Sequence, residues 1–347
     1  MLNLIKNECY KMISKPIVLV SLVLFFGFNI LMFFCWGFNY GGKEDIDKNA
    51  AYTAQFQGHF TDEKMQTIYQ DFLKEPEVAK EYYKGHSTYD TINSCFINKN
   101  DGFLMTLEQT FSTNYESNVK DNLVFADTTG PSLLINVLTK IYMFIGFILI
   151  IAISPIFSDE YTLGMDALIL TSLYGKNKVI TAKLTASFLF TLLVTGGTIL
   201  IQTIGFLTLY GTSGFQGSVQ MNPLKLMSDV PYLMTFSQAM IQMTLVWLFT
   251  ALFTTLTCTL LSAVCRTSFL SLIGGLVVYI LPLVASPFLS KAKVPVEIWC
   301  IFPFNASTTT IFTISKNYYL IVILFCVVSC IIMAVGSHVA FKNHQVR

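Results

Sequence analysis

Long uncharged runs alternate with polar segments along this chain. The first run covers 17–38, behind Lys6, Lys11 and Lys15; a second covers 133–157, broken by Lys140, and a third covers 184–210. A hydrocarbon core about 30 Å thick needs about 20 apolar residues per helix, so each run predicts one membrane span. The stretch 230–265 would measure about 54 Å as a straight helix at about 1.5 Å per residue, too long for one upright span. Pro231 therefore predicts an interfacial piece ahead of a fourth span at 237–264. Runs at 269–289 and 318–341 predict a fifth and a sixth. The first run exceeds the roughly 7–15 residues of a signal-peptide core and no small-x-small cleavage site follows, so it reads as a retained span. The pattern predicts an all-α polytopic membrane protein: six transmembrane helices in 17–38 and 131–347, with both termini on one side.

Composition sharpens this picture. The 347 residues are 53% hydrophobic and only 12% charged, about half the ~25% charged of a soluble domain, which excludes an ordinary soluble enzyme. The segment 39–130 holds 15 of the 21 acidic and 8 of the 22 basic residues, so one polar insert of net charge −7 interrupts the spans. Orientation follows from Lys and Arg in the short loops and tails. Lys6, Lys11, Lys15, Lys176, Lys178, Lys183, Arg266, Lys342 and Arg347 gather on one side, against Lys225, Lys291, Lys293 and Lys316 on the other. The termini are therefore expected in the cytoplasm, and the insert outside.

The insert itself reads as mostly helical. Thr61 predicts a cap for a helix opening with Asp62 and Glu63, with Met65, Ile68, Tyr69 and Phe72 on one face. Pro76 predicts the first turn of another, on which Val78 and Tyr82 pair. Aromatic residues such as Phe60, Phe96 and Phe111 either form this domain's core or line a partner-facing surface. Cys95 and Cys300 are both expected outside, where a disulfide between them is one option.

Catalytic patterns are missing. The histidines make no ligand spacing, and a net charge of +1 gives no reason to expect a nucleic-acid partner. Gly37 to Lys43 imitates part of a phosphate-binding loop, but Glu44 stands where Ser or Thr should hold Mg²⁺, and a span rather than a strand precedes it. Inside the spans the ionisable groups are Lys140 and His338. Lys140 either snorkels to the outer headgroups or contacts an anionic substrate in a translocation path. The outer link 291–317, with Trp299, Pro303 and Phe304, is too interrupted for a span and too apolar for a free loop, which predicts an interfacial or re-entrant element.

The link between spans two and three is the most informative segment. It runs Ser154-Pro-Ile-Phe-Ser-Asp159-Glu160-Tyr-Thr-Leu163-Gly164-Met-Asp-Ala167-Leu168, then Lys176, Lys178 and Lys183. A short helix is expected from Leu163 to Thr171. This pattern resembles the ABC-transporter type-2 permease family, in which span two runs into a Phe-Ser-x-Glu segment, a glycine four residues on, a coupling helix and a basic approach to span three. The N-terminal stripe Leu2, Ile5, Cys9 and Met12, suited to the inner membrane surface, and Arg266 to Gly275 are similar to other parts of that family. Leu173-Tyr174-Gly175-Lys176 departs from it where many members carry proline and a basic residue.

The resemblance implies a permease subunit of an ATP-driven exporter for an amphiphile such as a peptide antibiotic, drug or lipid-like molecule. It implies no catalytic site or cofactor on this chain, with ATP and Mg²⁺ held by a separate cytoplasmic ABC ATPase. The expected partners are that ATPase, a second permease copy or a related permease, and membrane lipid, in a bacterial plasma membrane. Around a coupling helix at about 159–175, Asp159 and Glu160 would anchor the ATPase, Gly164 would permit close approach, and Leu163, Ala167 and Leu168 would pack into its groove. The alternative is a non-transporting receptor or immunity protein whose outer domain binds a peptide or antibiotic.

Overall fold

The computed structural model describes residues 1–38, 41–74, 87–112, 114–165 and 175–342, and the side chains of Ser87, Lys176 and Ser290 lie outside what it describes. Among the described residues, six helices are long and apolar enough to cross a membrane: Pro16–Gly37, Thr129–Thr162, Asn177–Tyr210, Phe236–Val264, Ser268–Leu289 and Tyr318–Lys342. These are spans one to six, and the chain is an all-α polytopic membrane protein. Span four is the central helix, packed against spans two, three, five and six, while span one lies on spans two and three. Neutral hydroxyls tie the buried seams: Thr191 and Thr255 meet at 2.5 Å, and Tyr142 and Thr250 at 2.6 Å. Such pairs suit helix contacts in lipid, where apolar burial gives little preference for protein over acyl chain.

Two spans are longer than their apolar runs. Span two continues as a second helical piece, Pro155–Thr162, because Pro155 sits at the first helical position, where its missing N–H costs nothing. Span three begins at Asn177, so Lys178 and Lys183 lie on it and not in a loop. The ends of spans two and six lie together, with Phe341 packed on Phe157 and Tyr161 at ring-centroid distances of 5.0 and 5.7 Å. The N-terminal helix, Leu2–Ile13, packs against span three at this same end. Of its apolar stripe, Met12 is buried while Leu2 is exposed.

At the opposite end the insert forms a small helical layer. Its helices are Lys43–Ala54, Asp62–Lys74, Ser87–Cys95 and Leu107–Thr110. A two-residue antiparallel ladder pairs Gly58 with Phe125 and His59 with Val124. The expected helix after Thr61 is present, with the Lys64 N–H donating to the Thr61 hydroxyl at 3.4 Å; the second, with Pro76, Val78 and Tyr82, lies outside the described residues. Phe60, Phe96, Phe111 and Phe125 are core residues, with Phe60 stacked on Phe125 at 5.0 Å. The Gly37-to-Lys43 segment carries a helix start, where the Gly42 N–H donates to Asp45 Oδ2.

The segment 211–235, which contains Pro231, is built into the layer formed by the insert. Ser218 and Val124 exchange two hydrogen bonds, Thr128 donates to the Met221 carbonyl at 2.6 Å, and the Glu116 N–H donates to the Pro231 carbonyl at 2.7 Å. Met221 completes the insert's own core. Gly214 allows this docking, because a side chain there would strike the carbonyl of Asp127. Span four then starts at Phe236 through a capping box: Gln238 N–H donates to the Thr235 hydroxyl and the Thr235 N–H to Gln238 Oε1. Cys95 and Cys300 are free thiols, and Cys95 is engaged with the Gln220 carbonyl instead. Burial raises the Cys95 thiol, and it pushes Cys300 up to about 12, with Glu297 adding to the effect.

Candidate functional site

Three carboxylates and three lysines converge where the N-terminal helix, the end of span two and the start of span three meet. Glu8 and Lys11 come from the N-terminal helix and Lys15 from the residue before span one. Asp159 and Glu160 lie on the Pro155–Thr162 piece, and Lys183 is six residues into span three. With Ala152, Pro155, Ile156 and Leu163 they line a cleft of about 150 Å³.

Lys183 is the centre of this cluster and is only 1% exposed. Its ammonium donates to Glu8 Oε2, Glu160 Oε1 and the Ile156 carbonyl, each at 2.9 Å. An ammonium has three donors, and each is used. Glu160, 3% exposed, receives a second bond from Lys11 at 2.7 Å. One carboxylate thus joins the N-terminal helix, span two and span three. Burial works against the charge on Lys11, but the hydrogen bond and charge of Glu160, helped by Glu8 and Asp159, raise it above its ordinary value. Asp159 makes the neighbouring bridge, accepting from Lys15 at 2.5 Å and from the Ser268 hydroxyl.

The same piece of span two is anchored to the last turn of span four. Ser262 accepts from the N–H groups of Phe157 and Ser158 at 2.9 and 3.1 Å, and the Tyr161 hydroxyl donates to the Ala263 carbonyl at 2.8 Å. Serial hydrogen bonds and ion pairs therefore link the N-terminal helix and spans two to five at one end of the bundle. Burying such a cluster is costly, and removing one member of a buried pair costs about 3–5 kcal/mol because the other is left uncompensated.

The expected helix from Leu163 does not begin there. Leu163 caps the preceding helix, and Gly164 reverses the chain with φ +63°. The Gly164 N–H donates to the Tyr161 carbonyl at 3.2 Å and the Met165 N–H to the Glu160 carbonyl at 2.9 Å, the two bonds of a Schellman stop. No side chain among the described residues crowds Gly164, and its positive φ calls for the conformational freedom of glycine. Leu163 projects into the open at 71% exposure. Ala167 and Leu168, and most of the expected coupling helix, lie outside the described residues.

The remaining candidates lie elsewhere. Lys140 is exposed on span two, with its ammonium 3.5 Å from the centroid of the Trp36 ring. Trp299, Pro303 and Phe304 belong to two short helices, Val296–Trp299 and Pro303–Ala306, between spans five and six. Phe304 packs edge-on against Tyr279 of span five, Asn305 donates to the Pro282 and Trp299 carbonyls, and Trp247 of span four donates to the Ser307 carbonyl at 3.0 Å. This element is folded against spans four and five.

Sequence reasoning singled out Asp159 and Glu160 but not their partners. Nothing local in the sequence marks Glu8, and Lys11, Lys15 and Lys183 read there only as orienting charges. One signal was available: Lys183 stands among Ile180, Ala182, Leu184 and Ala186, an ammonium in an otherwise apolar helical run. Such a residue demands a buried acid.

Residues 2–345 match a family model described as ABC-2 family transporter protein. Comparison with curated proteins finds no match, and comparison with solved structures finds none.

Proposed function

This chain belongs to the ABC-2 transporter family, and on that premise we propose that it is the permease subunit of an exporter, driven by a separate cytoplasmic ATPase that binds the link following Gly164. The premise makes it a multi-pass transporter subunit; outward direction, an amphiphilic cargo and a bacterial plasma membrane are parts of the proposal. Spans rich in Leu, Phe and Thr suit a molecule that partitions into the bilayer, and a second permease would complete the path.

The observation that carries the reading is the Glu160–Lys183–Lys11–Glu8 cluster directly behind the link. A loop pushed by an ATPase moves spans only if it is stiffly joined to them. Here the helix ahead of the link is bonded to the N-terminal helix, to span three, to the end of span four and to the start of span five. Glu160 is committed to lysines of its own chain, so its role in the proposal is to transmit force, while the exposed Leu163 and the residues beyond Gly164 meet the ATPase.

The two roles separate by mutation. Leu168→Asp is expected to reduce co-purification with the ATPase, because it puts a charge into an apolar contact. Lys183→Met is expected to leave co-purification intact and to lower cargo moved per ATP hydrolysed. Unchanged co-purification with Leu168→Asp and unchanged transport with Lys183→Met would overturn the proposal.

A further inference from the structure

The far end of spans one and two carries a charge that the coupling cluster does not use. Lys140 is exposed and has no carboxylate partner among the ion pairs of the described residues. It stands on the second turn above Phe147 and one turn above Phe144, in a span otherwise uncharged to Ser158. Its ammonium lies over the ring of Trp36, which is one residue from the outer end of span one. Below this pair, Phe28 of span one meets Phe144 of span two at a centroid distance of 4.7 Å, and Phe144 is itself exposed. Spans one and two therefore share a seam of aromatic side chains with a cation at one end.

An unpaired cation in hydrocarbon is costly. Snorkelling towards Trp36 relieves part of that cost by bringing the ammonium to headgroup depth, and the indole face adds a cation–π attraction. Neither supplies a counter-ion. The indole occupies one side of the ammonium, and its three N–H donors still call for acceptors. A phosphate oxygen of a lipid headgroup meets that need at that depth, while the attached acyl chain follows Phe28 and Phe144. A free phosphate would gain nothing from the aromatic seam.

We propose that Lys140 and Trp36 form a lateral site for the phosphate headgroup of an anionic phospholipid in the outer leaflet, with its acyl chain lying along the aromatic seam of spans one and two. The site depends on the membrane topology and on the side-chain contacts named above. It does not depend on ATPase coupling, so its test is independent of the proposed function.

The test is native mass spectrometry of the full-length chain released from detergent containing equimolar phosphatidylglycerol and phosphatidylcholine. The wild-type protein is expected to retain phosphatidylglycerol about fivefold over phosphatidylcholine, the factor associated with one surface cation near an anionic headgroup. Lys140→Gln is expected to bring that ratio to about one, and Lys140→Arg to preserve it; retention of the wild-type elution volume by both variants checks that they fold. Trp36→Leu is expected to lower the preference without abolishing it. Inorganic phosphate added at millimolar concentration should not displace the lipid. Equal retention of both lipids by the wild type, an unchanged preference in Lys140→Gln, or displacement by inorganic phosphate would overturn the proposal. So would the absence of any adduct, the result expected if a second copy of the chain covers this face.

Discussion

Lys183 shows what a single residue can decide in a low-charge chain. All three of its donors are used inside the protein, so its replacement removes bonds that water cannot replace. Lys183→Met is expected to destabilise the detergent-solubilised protein by about 3 kcal/mol. A double-mutant cycle with Glu160→Gln is expected to give a coupling of about 1–3 kcal/mol, read from denaturant titrations; additive effects would mean that the two charges do not stabilise one another. Gly164 makes a different kind of demand. Its φ of +63° is open to glycine and costly for other residues, so Gly164→Ala is expected to cost about 1 kcal/mol in the same titration, and Gly164→Asn less. At this scale the sequence displayed Asp159, Glu160 and Gly164 because they sit together in one polar segment. It concealed Glu8, Lys11 and Lys15 as ion-pair partners because the pairing spans about 150 residues of chain, and no local pattern records such a distance.

The spanning elements were legible because lipid imposes their length and composition. Their ends near the Lys183 cluster were less so. Spans two and three extend past their apolar runs because charges there are neutralised by one another, and hydropathy cannot register a lysine whose acid lies on another helix. The docking of 211–235 on the insert was not legible for a related reason: Met221 and the hydroxyl of Thr128 are ordinary residues until the insert folds against them. Packing between elements makes its own prediction at Gly146. The ring of Tyr279 occupies the space a side chain would take there, so span five approaches span two without a gap. Gly146→Ala is expected to lower thermal stability by 1–3 kcal/mol, an order typical of overpacking, and Tyr279→Leu in the same chain is expected to recover part of the loss. Equal melting curves for Gly146→Ala and wild type would place spans two and five farther apart than described.

As a whole the molecule has two differently built ends. At one end, a polar insert and the loop between spans three and four form one hydrogen-bonded layer over an aromatic core. At the other, charges compensate one another in a compact cluster ahead of the link. Six spans with both termini at one end, an acidic insert, and a link read from Phe157 to Gly164 were enough to point to the family that residues 2–345 match. Cargo is not written in the chain in the same way, since apolar spans with neutral hydroxyls suit many amphiphiles equally. In the proposed mechanism, motion delivered to the link reaches the spans through the Lys183 cluster. Hydrogen–deuterium exchange on the permease–ATPase complex, with and without ATP, Mg²⁺ and vanadate, tests it most directly. The wild-type complex should change exchange in the N-terminal helix, at 155–165 and along span three. In a Lys183→Met complex of the same composition, the change should stay within the ATPase and the link. A response along span three equal to that of the wild type would contradict the account.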